Sequence, residues 1–476
     1  MRSLHIAATI LSILGVFALP TAGADKATEP PKTWDAGAVD AYVAGWVKRE
    51  EVGGLGLAVV RDGKVVLARG YGRRSLEGGQ PVEPETSFAI GSVTKQFVCA
   101  SVLLLAEEGK LSVDDPVSKY FPDLTRAGDI TLAQLMSHTS GYPDYYPLDF
   151  IDRRMARTIE PDALIRKYAS GPLDFPPGTR WSYSNTGYIL LGRVVEKAGG
   201  MPLGRFLETR LLKPAGMTTA ALDPEPSAGA STRARGSTSF ALGPAEPAVP
   251  EGSGWLVAAG GLWASAPDLA RWDLALMEGK LLKPESFRRM TTPVTLKDGR
   301  TRNYGFGVVV DHRDGETILA HGGAVSGFRA TNIVLPRTKS AVVVLTNSEG
   351  AGASRLANDL AALLIRDEAP PGVPKVAGPT AKQATLAFFH ALQAGEIDRK
   401  TLGEEFSVYL NDARVRDASA RLKLLGDPSS VAADDPRERG GMEVTPVHLT
   451  FPTIKLRGLL YRSPDGKIQQ LLFEKE

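Results

Sequence analysis

The sequence predicts an α/β protein whose antiparallel sheet is flanked by helices, with an all-helical half beside it and a small C-terminal α+β domain. Three observations carry this expectation. Strand-like segments appear early, at 55–71, and again late, at 304–346, with a long helical stretch between them. Early and late strands of this kind can pair in one sheet while the helical middle packs beside it. A proline-rich break, Glu368-Ala369-Pro370-Pro371-Gly372-Val373-Pro374, then sets off the remainder of the chain to Glu476.

Taken in order, residues 1–24 have the form of an export signal. Arg2 supplies the positive start, Ile6 to Leu19 is an apolar run, and Ala22-Gly23-Ala24 is a small-x-small cleavage site. The run is about 14 residues, short of the ~20 that a bilayer-crossing helix needs, and no later stretch is long and apolar enough to span one. The mature chain is therefore expected in a periplasmic or extracellular location, with no integral membrane segment. The single cysteine, Cys99, cannot form an intrachain disulfide, so stability must come from the core.

Apolar residues at Val39, Tyr42, Val43 and Trp46 recur at helical spacing. A hairpin follows, Leu55 to Val60 and Val65 to Tyr71, turned by Asp62-Gly63, a pair suited to the positive backbone angles of a tight turn. Thr94 to Glu108 is an apolar helix stopped by Gly109. Further helices are expected at Leu132–Met136, Asp162–Tyr168, Thr186–Lys197 and Leu203–Leu212. Between Asp223 and Gly254, Ala, Pro, Gly and Ser dominate, which suits a lid-like loop or a loose insert. Strands are expected at Tyr304–Val310, Thr317–His321, Ala330–Leu335 and Ala341–Thr346, then a helix at Ala351–Ile365. The domain limits are accordingly 33–368, a linker at 369–380, and 381–476. The last segment should hold a helix at Ala381–Leu392 and strands at Val444–Phe451, Ile454–Tyr461 and Ile468–Phe473.

Composition narrows the function. With 43% hydrophobic and 23% charged residues the chain is globular, and 56 basic against 54 acidic side chains leave +2. That charge gives no basis for a nucleic-acid groove. Six dispersed histidines do not form a metal signature, and the His-Glu-x-x-His, P-loop, Gly-x-Gly-x-x-Gly and Gly-x-Ser-x-Gly patterns are missing. No cofactor is expected.

Three short signals remain. In Ser92-Val93-Thr94-Lys95 at a helix start, positions i and i+3 share a face, so the Lys95 amine can sit beside the Ser92 hydroxyl. A serine is a poor nucleophile until a neighbour takes its proton, and the helix start favours negative charge developing there. The second signal is Tyr183-Ser184-Asn185 and the third is His321-Gly322-Gly323 followed by Ala324, where small residues let another backbone approach the strand. Alone, each has an ordinary structural explanation: a helix cap, a buried tyrosine, an edge histidine with turn glycines.

In this order, the three resemble the serine hydrolases of the class C β-lactamase and penicillin-binding-protein group, which use Ser-x-x-Lys, Tyr-x-Asn and Lys-Thr-Gly or His-x-Gly. Leu135-Met136-Ser137-His138-Thr139-Ser140-Gly141, Phe175 to Gly192 and Gly260 to Ser265 fit the same resemblance, which covers roughly Ala36 to Asp367. It implies a β-lactamase/transpeptidase-like fold with Ser92 as nucleophile and Lys95 and Tyr183 sharing the proton. Asn185 would position Lys95 and the substrate amide. The N–H groups of Ser92 and Ala324 would form the oxyanion hole, and His321 and Gly323 would line the opposite wall.

Position 321 bears on the substrate. A lysine there would be a permanent cation for a substrate carboxylate, whereas histidine is mostly neutral at pH 7. Esters, small amides or D-amino-acid peptides are therefore expected as substrates, with weak β-lactam hydrolysis. The alternative is a catalytically silent protein of the same fold that binds wall peptides or a partner. Tyr142, Tyr145, Tyr146 and Trp255 could line an acyl pocket, or simply pack the core.

Overall fold

The computed structural model describes residues 29–31, 33–146, 153–222, 232–240, 243–313, 316–366 and 373–476. The expected export signal and most of the proline-rich break lie outside the described residues. No helix among the described residues is long and apolar enough to cross a membrane. The chain divides into two compact units, one ending at Asp367 and the other starting at Glu368.

In the first unit, helix α1 (Ala36–Arg49) leads into the hairpin β1 (Gly54–Arg61) and β2 (Lys64–Gly72). Asp62 and Gly63 turn it with φ of 50° and 74°, as the Asp-Gly pair requires. Helix α2 (Thr94–Glu107) follows, then α3 (Leu132–Met136), α4 (Pro161–Ala169), α5 (Asn185–Gly199), α6 (Leu203–Leu207), α7 (Val257–Gly260), α8 (Ala266–Met277) and α9 (Pro284–Met290). The late strands are β3 (Val309–Arg313), β4 (Glu316–Val325), β5 (Phe328–Leu335) and β6 (Ser340–Thr346), closed by α10 (Ala353–Arg366). The sheet runs β3-β4-β5-β6-β1-β2, all antiparallel, so early and late strands do meet at β6 and β1.

Strand β1 is buried on both faces, which explains its unbroken apolar run. Leu57 and Val59 face a core built with Val39, Val43 and Trp46 of α1 and Leu356 and Leu360 of α10. Ala58 and Val60 face the larger core shared with Phe97 and Val102 of α2, Leu190 of α5 and Trp272 of α8. Each such side chain contributes roughly 1.5–3 kcal/mol of burial, and alternation by two assigns it to one core or the other.

Several boundaries differ from expectation. The strand expected at Tyr304–Val310 begins only at Val309. Gly307 has φ of 72° and Gly305 packs so that a Cβ would lie 2.2 Å from the Met290 carbonyl, so residues 304–308 form a turn. Helix α8 had no counterpart in the sequence reading, although Ser265 caps it by accepting from the Asp268 N–H. The described parts of 223–254 are fastened rather than loose. Ser87 N–H donates to Thr232, Ser237 N–H to Asn347 and Ile159 N–H to Ser253.

The second unit has its own core. Helix α11 (Ala381–Ala394), capped reciprocally by Thr380 and Gln383, places Phe388, Phe389 and Leu392 against a six-stranded sheet. Helices α12 (Glu404–Tyr409) and α13 (Asp412–Lys423) precede the strands β7 (Ser430–Ala433), β8 (Arg437–Arg439), β9 (Met442–Thr450), β10 (Lys455–Arg462), β11 (Ile468–Gln470) and β12 (Phe473–Lys475). The single last strand expected at 468–473 is thus two, which pair separately with β10.

Candidate active site

Ser92 lies in the 3-10 turn Gly91–Val93, immediately before α2. Backbone packing fixes this turn. Ile90 N–H donates to the Leu262 carbonyl at 3.0 Å, and Leu262 N–H donates to Thr94 Oγ1 at 3.1 Å. On the other side the turn presses on β4. A Cβ at Gly323 would lie 1.9 Å from the Ile90 carbonyl oxygen, and one at Gly91 (φ 50°) would lie 2.7 Å from the Ala324 nitrogen. Only glycine fits at either place, and the two contacts bring the Ala324 N–H beside the nucleophile turn. Strand β3 pairs with β4 only as far as Ala320, so the β4 edge from His321 to Val325 has no β3 partner.

One turn of helix beyond Ser92, Lys95 is fully buried. Its Nζ lies 2.9 Å from Ser92 Oγ, 2.8 Å from Asn185 Oδ1 and 2.6 Å from the Ala259 carbonyl oxygen. The last two partners only accept. A neutral amine can donate its two hydrogens to them and leave its lone pair for the Ser92 proton. Burial lowers the Lys95 pKa from 10.5 to about 7, while the charge of Asp144 works in the opposite direction. An unshifted lysine would be neutral in only about one molecule in 2,500 at pH 7, and here about half are.

Asn185, the first residue of α5, is held in one orientation. Its Oδ1 accepts from Lys95, while its Nδ2 and backbone N–H donate to Asp144 Oδ2 and Oδ1 at 3.2 and 2.9 Å. Asp144 is half-buried, and desolvation raises its pKa. The Tyr183 ring sits with its centroid 4.8 Å from Lys95 Nζ. His321 is buried, and desolvation and the Lys95 charge lower its pKa to about 3. It is therefore neutral over the whole ordinary pH range.

The structure brings together Ser92, Lys95, Tyr183, Asn185, His321, Gly323 and Ala324, the residues of the three motifs. Of the aromatics, Tyr142, Tyr145 and Trp255 are core side chains, exposed by 2%, 2% and 4%, so they do not form an open acyl pocket. Tyr146 is only half-buried, and its hydroxyl donates to Glu251 at 2.8 Å. Among the described residues no cluster of His, Cys, Asp and Glu could hold a metal ion.

Residues 39–366 match the beta-lactamase family model. The chain belongs to the beta-lactamase family. It is a serine hydrolase with a β-lactamase/transpeptidase-like fold. PbpX of Bacillus subtilis (strain 168), which carries a penicillin-binding-protein name, is 30% identical over 329 residues, 68% of this chain and 77% of PbpX. A D-aminopeptidase from Gluconobacter oxydans (strain 621H) is 30% identical over 315 residues, 65% of this chain and 59% of the relative. The match thus spans less than two thirds of that D-aminopeptidase. Among solved structures, an octameric penicillin-binding-protein homologue from Pyrococcus abyssi superposes with a TM-score of 0.63 at 23% identity, covering 93% of this chain and 96% of that one. A D-stereospecific amidohydrolase from Streptomyces sp. gives 0.58 at 26% identity, covering 68% and 98%.

Within this family member, sequence reasoning missed Asp144, the Ala259 carbonyl and Tyr304. Asp144 stands 41 residues before the asparagine it grips, and a backbone carbonyl has no sequence signature. His138 was noted only as part of a matching stretch, yet its ring lies 4.1 Å from that of Tyr183.

Proposed function

We propose that this chain is an exported hydrolase that forms an acyl-enzyme on Ser92 and acts on small D-amino-acid amides, short D-peptides and esters, with weak turnover of β-lactams. The observation that carries the reading is the Lys95 amine, 2.9 Å from Ser92 Oγ and with both other partners obligate acceptors. In the proposed reaction Ser92 Oγ bonds to the substrate carbonyl carbon as its proton passes to Lys95. The carbonyl oxygen becomes an oxyanion facing the N–H groups of Ser92 and Ala324. Collapse breaks the bond to the leaving amine or alcohol, which takes the proton back through Lys95 or the Tyr183 phenol. Water then repeats the sequence and releases the acid.

Two features support the substrate class. Neutral His321 offers no fixed cation for a substrate carboxylate of the kind a β-lactam carries. Relatives and structural neighbours carry the names D-aminopeptidase and D-stereospecific amidohydrolase. Export rests on the form of residues 1–24.

The test is a panel of D- and L-alanine p-nitroanilides, short-chain p-nitrophenyl esters and nitrocefin, with Ser92→Ala as blank. The expected order is D-anilide and esters above nitrocefin and above the L-anilide. Nitrocefin turned over more efficiently than the D-anilide and the esters would reject the order. Absence of any Ser92-dependent turnover, together with no labelling by a fluorophosphonate probe, would favour the silent binding protein.

A further inference from the structure

Beside Ser92 and Lys95 lies a chain of three buried side chains that the proposed reaction does not use: His138, Tyr304 and His321. Tyr304 Oη lies 3.2 Å from His138 Nε2 and 2.8 Å from His321 Nε2. Each outer end of the chain is tied to backbone. Ser184 N–H donates to His138 Nδ1 at 3.1 Å, and His321 Nδ1 lies 2.6 Å from the Gly322 carbonyl oxygen.

These end groups dictate every proton between them. A carbonyl oxygen can only accept, so His321 must carry its hydrogen on Nδ1, leaving Nε2 bare. An amide N–H can only donate, so His138 Nδ1 is bare and its hydrogen is on Nε2. The single hydrogen of Tyr304 then goes to His321 Nε2, and its oxygen accepts from His138. The nearby Tyr188 hydroxyl donates its hydrogen to the Met136 carbonyl at 2.7 Å and so gives none to Tyr304. Neither ring can gain a proton cheaply, since desolvation and the Lys95 charge both oppose it.

The chain also joins two walls of the site. His138 brackets Tyr183: its carbonyl accepts from Ser182 N–H at 3.0 Å, and its ring accepts from Ser184 N–H. His138 adopts φ of 59°, a left-handed conformation rare outside glycine, to present both groups to one loop. At the far end, His321 belongs to β4, two residues from Gly323 and three from Ala324.

We propose that His138 and Tyr304 are positioning residues that hold the bare Nε2 of the neutral Nδ1–H tautomer of His321 and set the Tyr183 loop against β4 through one polarised hydrogen-bond chain. His321 is thereby a wall of fixed polarity that exchanges no proton with substrate, and proton transfer is left to Lys95 and Tyr183. The kinetic arm of the test rests on the Ser92 reading, whereas the spectroscopic arm does not.

The experiment is 15N NMR of the full chain labelled at histidine, with His138→Asn and His321→Gln used for assignment. In the wild type, opposite tautomers are expected, Nε2–H at His138 and Nδ1–H at His321, both unchanged between pH 5 and 8. An Nε2–H signal at His321, or titration of either ring in that range, overturns the proposal without reference to activity. Tyr304→Phe keeps the ring but removes the hydroxyl link. It should leave the hydrogen on His321 Nδ1, held by the Gly322 carbonyl, but move the Nε2 signal to that of a bare nitrogen with no hydrogen bond, and lower kcat by about 10- to 100-fold, with KM changed by no more than about threefold. A Tyr304→Phe protein with wild-type kcat, or with the wild-type His321 signal, would also overturn it. Unchanged tautomers in an enzyme lacking Ser92-dependent turnover would keep the chain and discard the proposed reaction.

Discussion

Substituting Asp144 by Asn should move the acid limb of the pH profile to lower pH, and the size of the move follows from the site. The amide of Asn185 bridges Lys95 and Asp144 through hydrogen bonds of 2.8 and 3.2 Å. Allowing ~2 Å for the amide itself, the two charges lie within about 8 Å, and at an effective dielectric of ~20 their attraction is roughly 2 kcal/mol. That attraction favours the ammonium and holds the Lys95 pKa up to about 7 against desolvation. Losing it should lower the Lys95 pKa by about 1.5 pH units, to roughly 5.5. Wild-type kcat/KM on D-alanine p-nitroanilide should fall tenfold per pH unit below about 7, because only the neutral amine can take the Ser92 proton. In Asp144→Asn the same fall should begin near ~5.5 whatever the absolute rate, since Asn185 loses its charged anchor and kcat is expected to drop as well. His321, with a pKa of about 3, does not titrate in this window. A limb that stays in place or moves to higher pH in Asp144→Asn would refute the assignment of Lys95 as the titrating base.

Other substitutions separate stability from activity. Lys95→Met should abolish turnover and stabilise the fold by about 1–3 kcal/mol at pH 7, read as a higher Tm. The sign follows from a folded pKa near 7 against an unfolded 10.5: the folded state holds fewer protons between those values, so wild-type stability rises as pH increases from 7 to 10.5. That slope should disappear in Lys95→Met, and a lower Tm for the variant at pH 7 would contradict the account. Gly323→Ala drives a methyl into the Ile90 carbonyl and should lower kcat/KM at least about 100-fold with about 1–3 kcal/mol of destabilisation, measured by urea melts. Asp273 is fully buried beside Asn332 with its pKa pushed well up by desolvation. Its unfolded form ionises first as pH rises above 3.8, so stability falls with pH. Asp273→Asn should raise stability at pH 7 by at least about 1 kcal/mol and flatten that fall.

What the sequence revealed and what it hid have physical reasons. The nucleophile and its lysine were legible because one helical turn places them together, a local relation. The hairpin at 54–72 was legible through its Asp-Gly turn, and β6 and α10 through periodicity. Tyr183, Asn185 and His321 entered through resemblance, since nothing in 183–185 or 321–324 alone brings them to residue 92. The contacts that tune the site stayed hidden for one shared reason. Asp144 with Asn185, Ala259 with Lys95, and Tyr304 with two histidines are each joined by tertiary packing across separations of 17 to 166 residues. Tyr304 is expected in a strand, whereas it lies at the turn that contains Gly305 and Gly307, with its hydroxyl between the two rings. Helix α8 was missed because its inner face includes buried polar residues, Asp268 and Asp273, that blur the apolar stripe.

The central claim is a covalent one, that residue 92 carries the acyl group. Intact-mass and peptide mass spectrometry after rapid acid quench of the enzyme with a D-amino-acid ester tests it most directly. The expected result is a mass increase equal to the D-aminoacyl group, mapped to the peptide containing Ser92 and missing in Ser92→Ala. An adduct that persists in Ser92→Ala, or Ser92-dependent turnover through which no adduct forms under single-turnover conditions, would contradict it.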